Sequence, residues 1–379
     1  MIRYIITSLP MLVCLFWSCQ LWMDWREQRA KAKLRLFIFS VVTTVLYAGH
    51  FAYFNSMEAI LPYTETLYSM ANLAVFPLYY LYLLEVTEKK RWNHHWQVTL
   101  LILIPSLLIG MMIGGCYIFV NDAERPHLIF VARMVAKFIF AIQVVIVLLK
   151  GYQRVKKFDE IVENCYSDIE NRTLRNTQII IIFLVITSII SFLANVIGKE
   201  AFVDSLALVS IPCVVFAIIL FMLLRAGHMQ NFTIHELMEE AEETATVDND
   251  NNTDIMRETT ESVSTAVNAE KIRQISAEIE EVMRREKPFL KPDLRVSDLA
   301  RLLHTNRDYI SKAIRLDKGM SFNEYVNRLR IEHAITLMKN NPQMSVLDLS
   351  VKSGYTSQAS FFRNFKQFTG TSPKQFKCN

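Results

Sequence analysis

Seven stretches of about twenty mostly apolar residues, separated by short polar loops, lie before Arg225 in this chain of 379 residues. They run from Ile2 to Trp22, Leu36 to Phe54, Leu67 to Val86, Val98 to Val120, Leu128 to Leu149, Ile179 to Ile197 and Leu206 to Leu224. A bilayer leaves no water for backbone amides, so only helices and closed barrels span it. Segments of this length predict a bundle of seven transmembrane helices. Composition agrees, with 52% hydrophobic and 21% charged residues. Such a chain is neither disordered nor a disulfide scaffold, and it is not one ordinary soluble enzyme.

Loop charge predicts the orientation, because Lys and Arg accumulate on the cytoplasmic side. Fourteen basic residues follow the first, third and fifth segments, among them Arg26, Lys33, Lys90, Arg154 and Arg172. On the opposite side stand three, Arg3, Arg125 and Lys199. Seven crossings then put the amino terminus outside and everything after Arg225 inside. The first segment has Arg3 as its whole n-region and no A-x-A-like site, so it reads as an uncleaved helix rather than a signal peptide.

Ionisable residues within a membrane are functional candidates. Arg133 and Lys137 are four apart on the fifth segment and share a face, and His50 lies toward the outer end of the second. Together they are candidates for an outward-open pocket for an anionic signal ligand. Snorkelling and interhelical hydrogen bonding account for the same residues without a ligand. No HExxH, GxSxG or paired intramembrane aspartates occur. His94 and His95 are adjacent and do not converge on a metal. The expectation is a protein that is not an enzyme and has no cofactor or metal. The alternative is a transporter or membrane enzyme with an autoregulatory DNA-binding tail.

Residues 1–227 thus form the predicted membrane domain, and 228–268 a connector. The connector holds ten acidic residues against Arg257 alone and is polar from Thr244 to Thr253, as a flexible linker would be. Phe232 to Ala241 is apolar enough for a short juxtamembrane helix.

Residues 269–379 form the third predicted domain. From Glu270 onward there are twenty basic and twelve acidic residues, a net charge of +8 that suits a polyanion. Ile272, Ile275, Ile279 and Val282 make one helical stripe, either a homodimer seam or a helix of the domain core. Two helix-turn-helix patterns follow. In the first, Ser297 is the predicted cap of a helix through Leu303, His304-Thr305 the turn, and Asn306 the cap of a second helix through Arg315. Leu299, Leu302, Ile310 and Ile314 would pack between them, leaving Arg307, Asp308, Ser311, Lys312 and Arg315 outward. In the second, Ser345 caps a helix through Ser353, Gly354 turns, and a helix runs from about Ser357 to Phe368. Phe361, Phe365 and Phe368 would be its buried stripe, with Gln358, Ala359, Ser360, Arg363 and Lys366 on the other face. A long helix from Phe322 to Lys339 joins the units.

These side chains suit a major groove: Arg forks onto guanine, Gln pairs with adenine, and Ala touches a thymine methyl. Lys366, Lys374, Arg328 and Arg330 are the predicted phosphate contacts. The run from Ser360 to Lys377, with Phe361, Arg363, Phe365, Lys366, Gly370, Ser372, Pro373 and Phe376, resembles the signature of AraC/XylS-type DNA-binding domains. Val346 to Tyr355 resembles the same family's upstream motif, with Ser350, Ser353 and Tyr355 as mild departures, and Leu294 to Arg330 resembles its first unit. The resemblance covers about Ala269 to Lys377 and does not extend to the apolar segments. It implies a bacterial transcription regulator with two recognition helices in successive major-groove segments. By position it assigns base reading to Ser311, Lys312, Gln358, Ser360 and Arg363.

The chain therefore reads as all-α: a seven-helix bundle in the bacterial cytoplasmic membrane, followed by a cytoplasmic double helix-turn-helix domain. Its expected partners are double-stranded DNA, the lipid bilayer, an unidentified signal ligand and a second copy of itself. The expected mechanism is a shift in protomer pairing, or release of the last domain, that changes DNA occupancy.

Overall fold

The computed structural model describes residues 1–57, 60–87, 94–99, 103–121, 123–170, 172–174, 177–178, 181–183, 205–230, 233 and 263–378. Among these residues there is no strand, and the isolated bridge between Tyr166 and Arg295 is the sole extended pairing. They divide into two compact units, Met1–Phe158 with Leu174–His235, and Asp159–Thr173 with Glu236–Asn379.

The first unit contains α1 (Ile2–Gln28), α2 (Lys31–Phe54), α3 (Leu61–Thr87), a short α4 (His94–Val98), α5 (Ile104–Phe119), most of α6 (Arg125–Cys165) and α7 (Leu206–Met229). Among the described residues, five stretches are long and apolar enough to cross a membrane: α1, α2, Thr66–Thr87, His127–Cys165 and α7. Of the predicted span from Val98 to Val120, the described residues include the shorter apolar helix α5. Here α5 has 16 residues and carries Pro105, which lacks an amide hydrogen, in its first turn. The predicted span from Ile179 to Ile197 lies outside the described residues except for 181–183, as do Lys199, the predicted juxtamembrane helix and nearly all of the acidic connector.

The helices of this unit meet through apolar side chains such as Leu21, Leu36, Phe39 and Leu73, and also through small and polar ones. Ser18 Oγ donates to Ser40 Oγ at 2.9 Å between α1 and α2, and Ser40 Oγ donates to the Cys14 carbonyl at 2.9 Å. Gly110 and Gly114, four apart on α5, lie against Met70 and Thr66, four apart on α3. A Cβ on Gly114 would stand 2.6 Å from the Thr66 methyl, so only glycine allows this approach. Lys33, counted above among the loop cations, is buried. Its ammonium donates to the carbonyls of Gly227 at 3.1 Å and His228 at 2.5 Å, which the end of α7 leaves without helical partners. Beside it, Asp24 and His228 Nδ1 are 2.5 Å apart. Large apolar side chains point outward instead: Ile118, Phe119, Phe138 and Ile211 are all more than 60% exposed.

The second unit holds α8 (Val263–Arg285), a 3-10 turn (Pro288–Leu290), α9 (Val296–Leu302), α10 (Arg307–Lys318), α11 (Phe322–Asn340), α12 (Val346–Lys352), α13 (Gln358–Thr369) and α14 (Pro373–Cys378). Its first core joins Ile275, Ile279 and Val282 of α8 to Leu299, Ile310, Ile314 and Phe322. The isoleucine stripe of α8 is thus a face of the domain core. Ser276 Oγ fixes the same helix to α10 by donating to Asp317 at 2.6 Å. A second core joins Ile331, Ala334 and Met338 of α11 to Leu349, Tyr355, Phe361 and Phe365. The long α11 therefore serves both helix pairs as a shared wall.

Candidate nucleic-acid interface

Each helix pair is built by local chemistry. Asn306 caps α10, its Oδ1 accepting from the amides of Asp308 at 2.8 Å and Tyr309 at 3.1 Å. Gly319, at φ 67°, ends that helix. Ser345 caps α12 by accepting from the Asp348 amide at 3.0 Å, and Ser357 caps α13 by accepting from the Ser360 amide at 3.1 Å. Gly354 turns between them at φ 80°, where an added Cβ would lie 2.7 Å from the Leu290 carbonyl. No larger residue fits that place. In the first pair the turn falls on His304, at φ 48°.

Several expectations need correction. Ser297 lies inside α9, whose cap position is Arg295; the Arg295 amide donates to Asp298 Oδ2 at 3.1 Å. Asp298 closes the turn in place of the serine. Leu302 is exposed, because α9 ends there and Leu303 turns onto the core instead. Phe368 is also exposed, and Phe376 of α14 stacks edge-on against Phe365 at 5.5 Å. The return of the chain through Pro373 thus supplies the third aromatic.

Arg330 differs most from its predicted place on the phosphate backbone. It is 1% exposed. Its guanidinium donates to the carbonyls of Phe289 at 2.7 Å, Lys291 at 2.7 Å and Pro292 at 3.0 Å, and to Ser167 Oγ at 3.2 Å. Tyr355 lies beneath it at 5.4 Å. Burial lowers its pKa to about 10, so it stays charged at neutral pH. Arg330 is a structural tie between α11 and the loop after the 3-10 turn.

The remaining candidates line two helices. On α10, Lys312 and Arg315 are exposed, while Arg307 and Ser311 are half-buried. On α13, Gln358, Ala359, Arg363 and Lys366 are exposed. Ser360 is 9% exposed, because another part of this unit covers it. Glu170, from the segment after α6, accepts hydrogen bonds at one carboxylate oxygen from Ser357 Oγ at 2.7 Å and from Ser360 Oγ. Its other oxygen is 3.8 Å from the Arg363 guanidinium. The two serine hydrogen bonds, helped by Arg363, hold Glu170 below the usual glutamate range. Sequence reasoning missed Glu170. The signal available was a set of acids, Asp159, Glu160, Glu163, Asp168 and Glu170, in a loop otherwise read for its basic residues.

Of the candidates in the membrane segments, His50 sits between α2 and α3. Its ring lies 5.4 Å from Tyr47 and 4.9 Å from Tyr68, and Nε2 is 3.3 Å from the Tyr68 hydroxyl. Arg133 is exposed and Lys137 half-buried on α6.

Comparison with known proteins bears on the second unit. A family model described as a helix-turn-helix domain matches residues 299–378. The chain is 32% identical over 84 residues to the Msm operon regulatory protein of Streptococcus mutans, covering 22% of this chain and 30% of that one. It is 34% identical over 85 residues to an uncharacterized HTH-type transcriptional regulator of Staphylococcus aureus, covering 22% and 11%. Over 77 residues it is 34% identical to the uncharacterized transcriptional regulatory protein YesN of Bacillus subtilis, covering 20% and 21%. The chain therefore spans less than a third of each of these relatives. Two capped helix pairs on a shared wall, the predicted signature at the end of the chain and these matches agree: residues 299–378 are a helix-turn-helix domain of the AraC type, the kind found in transcription regulators.

Proposed function

We propose that this protein is a membrane-embedded, sequence-specific transcription regulator that couples a signal received by its apolar helices to DNA binding. The observation that carries the reading is the joining, in one chain, of a tandem helix-turn-helix module to long apolar helices that also present large apolar side chains outward. That arrangement is stable in lipid and costly in water. The loop charges support a cytoplasmic position for the DNA-binding module and an outside amino terminus. Base reading falls to Ser311 and Lys312 on α10 and to Gln358, Ala359, Ser360 and Arg363 on α13, with Arg307, Arg315 and Lys366 beside them. Arg133 and Lys137 share α6, the helix whose continuation reaches the second unit, and with His50 they are the residues we assign to the signal. Pairing of two copies would match the two-fold symmetry common in operators.

The test is a genome-wide crosslinking map of DNA bound by the full-length protein, beside Arg363→Ala. Discrete sites are expected, with a loss at each of about 1–3 kcal/mol in the variant. Equal loss on specific and random DNA would move Arg363 to a phosphate contact, and no discrete sites would end the regulator reading.

A further inference from the structure

The segment after α6 is anchored in the second unit. Tyr166 and Ser167 are 3% and 2% exposed. The Ser167 amide donates to the Leu294 carbonyl at 3.0 Å, and its carbonyl accepts from Asn323 Nδ2 at 2.7 Å and Asn327 Nδ2 at 3.1 Å. From that anchor the chain carries two acids onto the start of α13. Asp168 accepts from Thr356 Oγ1 at 2.6 Å and, through its other oxygen, from the Glu170 amide at 3.0 Å, which holds the turn. Glu170 then meets Ser357, Ser360 and Arg363 as described. Just upstream, the Asn164 carbonyl accepts from Ser311 Oγ of α10 at 3.4 Å. The end of α6 and the segment after it thus touch both helices assigned to base reading.

We infer that this acidic segment is an internal competitor of DNA: it docks on the reading face of α13 and must leave before Ser360 and Arg363 can engage a duplex. The inference rests on the regulator reading above. A carboxylate held by hydroxyls at a helix N-terminus, with a guanidinium facing it, presents the acceptors that a DNA base edge or phosphate would bring. Both cannot occupy the same donors. The segment is also the direct chain continuation of α6, so displacement of the end of that helix pulls on it. This supplies a route from a signal at the apolar helices to the DNA-reading face, through a population shift between docked and released states.

The test uses the full-length protein in its own membrane, as wild type, Glu170→Gln and Asp168→Asn, at matched levels by immunoblot and below saturation. DNA occupancy is mapped by crosslinking. Glu170→Gln is expected to raise occupancy at the wild-type sites on the order of tenfold, the effect of one weakened charge-assisted contact, with a smaller rise for Asp168→Asn. Unchanged or lower occupancy for both, at sites the wild type holds, overturns the inference and leaves the regulator reading standing. Should Glu170→Gln fail to accumulate, Asp168→Asn decides in the same way. An absence of discrete sites for all three overturns the regulator reading and this inference with it.

Discussion

Gly354 and Gly319 both adopt a left-handed backbone, yet they meet different surroundings. Around Gly319 there is open space, whereas a Cβ at Gly354 would strike the backbone of Leu290. Gly319→Ala should cost about 1 kcal/mol, the penalty of a left-handed alanine. Gly354→Ala should cost distinctly more, about 2–4 kcal/mol, because the second helix pair must also shift from the Leu290 carbonyl. Urea unfolding of the second unit, followed by far-ultraviolet circular dichroism, checks the order; equal losses would show that Leu290 gives way freely. Arg330 carries a related lesson. An arginine on a basic helix reads as a DNA contact, but three carbonyls and a serine surround this one. Residue type and net charge were legible at that position, and burial was not.

At the scale of elements, helical periodicity located α9 to α13 within a few residues, because caps and apolar stripes are local, whereas α8 starts at Val263, inside the stretch read as connector. Asn306 and Ser345 cap where their positions predicted, and Ser357, read as the approximate first residue of its helix, is its cap. Stripe ends were less legible, since they depend on what packs against them. Phe361 and Phe365 are fully buried, whereas Phe368 leaves the core and Phe376 enters it. Phe361→Ala should therefore cost about 3–5 kcal/mol. Phe368→Ala should cost under about 1 kcal/mol. Similar losses in a thermal unfolding series would mean that α14 does not hold its place. The apolar elements show the same limit. Length and hydropathy located α1, α2 and α7, but α6 runs on to Cys165, well past the predicted end at Leu149. Val155, Phe158 and Val162, spaced three and four apart and all buried, carry the helical stripe beyond the apolar run.

For the whole molecule, the +8 balance of the carboxy-terminal module predicts binding governed by phosphate neutralisation. A fragment from Val263 to Asn379 should bind DNA with a log–log salt slope of magnitude at least about 3, given roughly four neutralised phosphates. Affinity that ignores salt would remove the polyanion argument for this module. Without residues 159–173, the same fragment also lacks the acidic segment that covers Ser360.

Sequence alone determined the all-helical character, the apolar first part and the tandem DNA-binding module. Helix period, capping and transfer of apolar groups from water act over a few residues and leave their mark in local order. Only the tertiary structure decided that Arg330 is buried, that Phe376 replaces Phe368, and that Glu170 lies on Ser357 and Ser360. Those contacts join residues between 38 and 190 positions apart in the chain, or depend on how its end returns. Their stability comes from desolvation and from partners that no local pattern specifies.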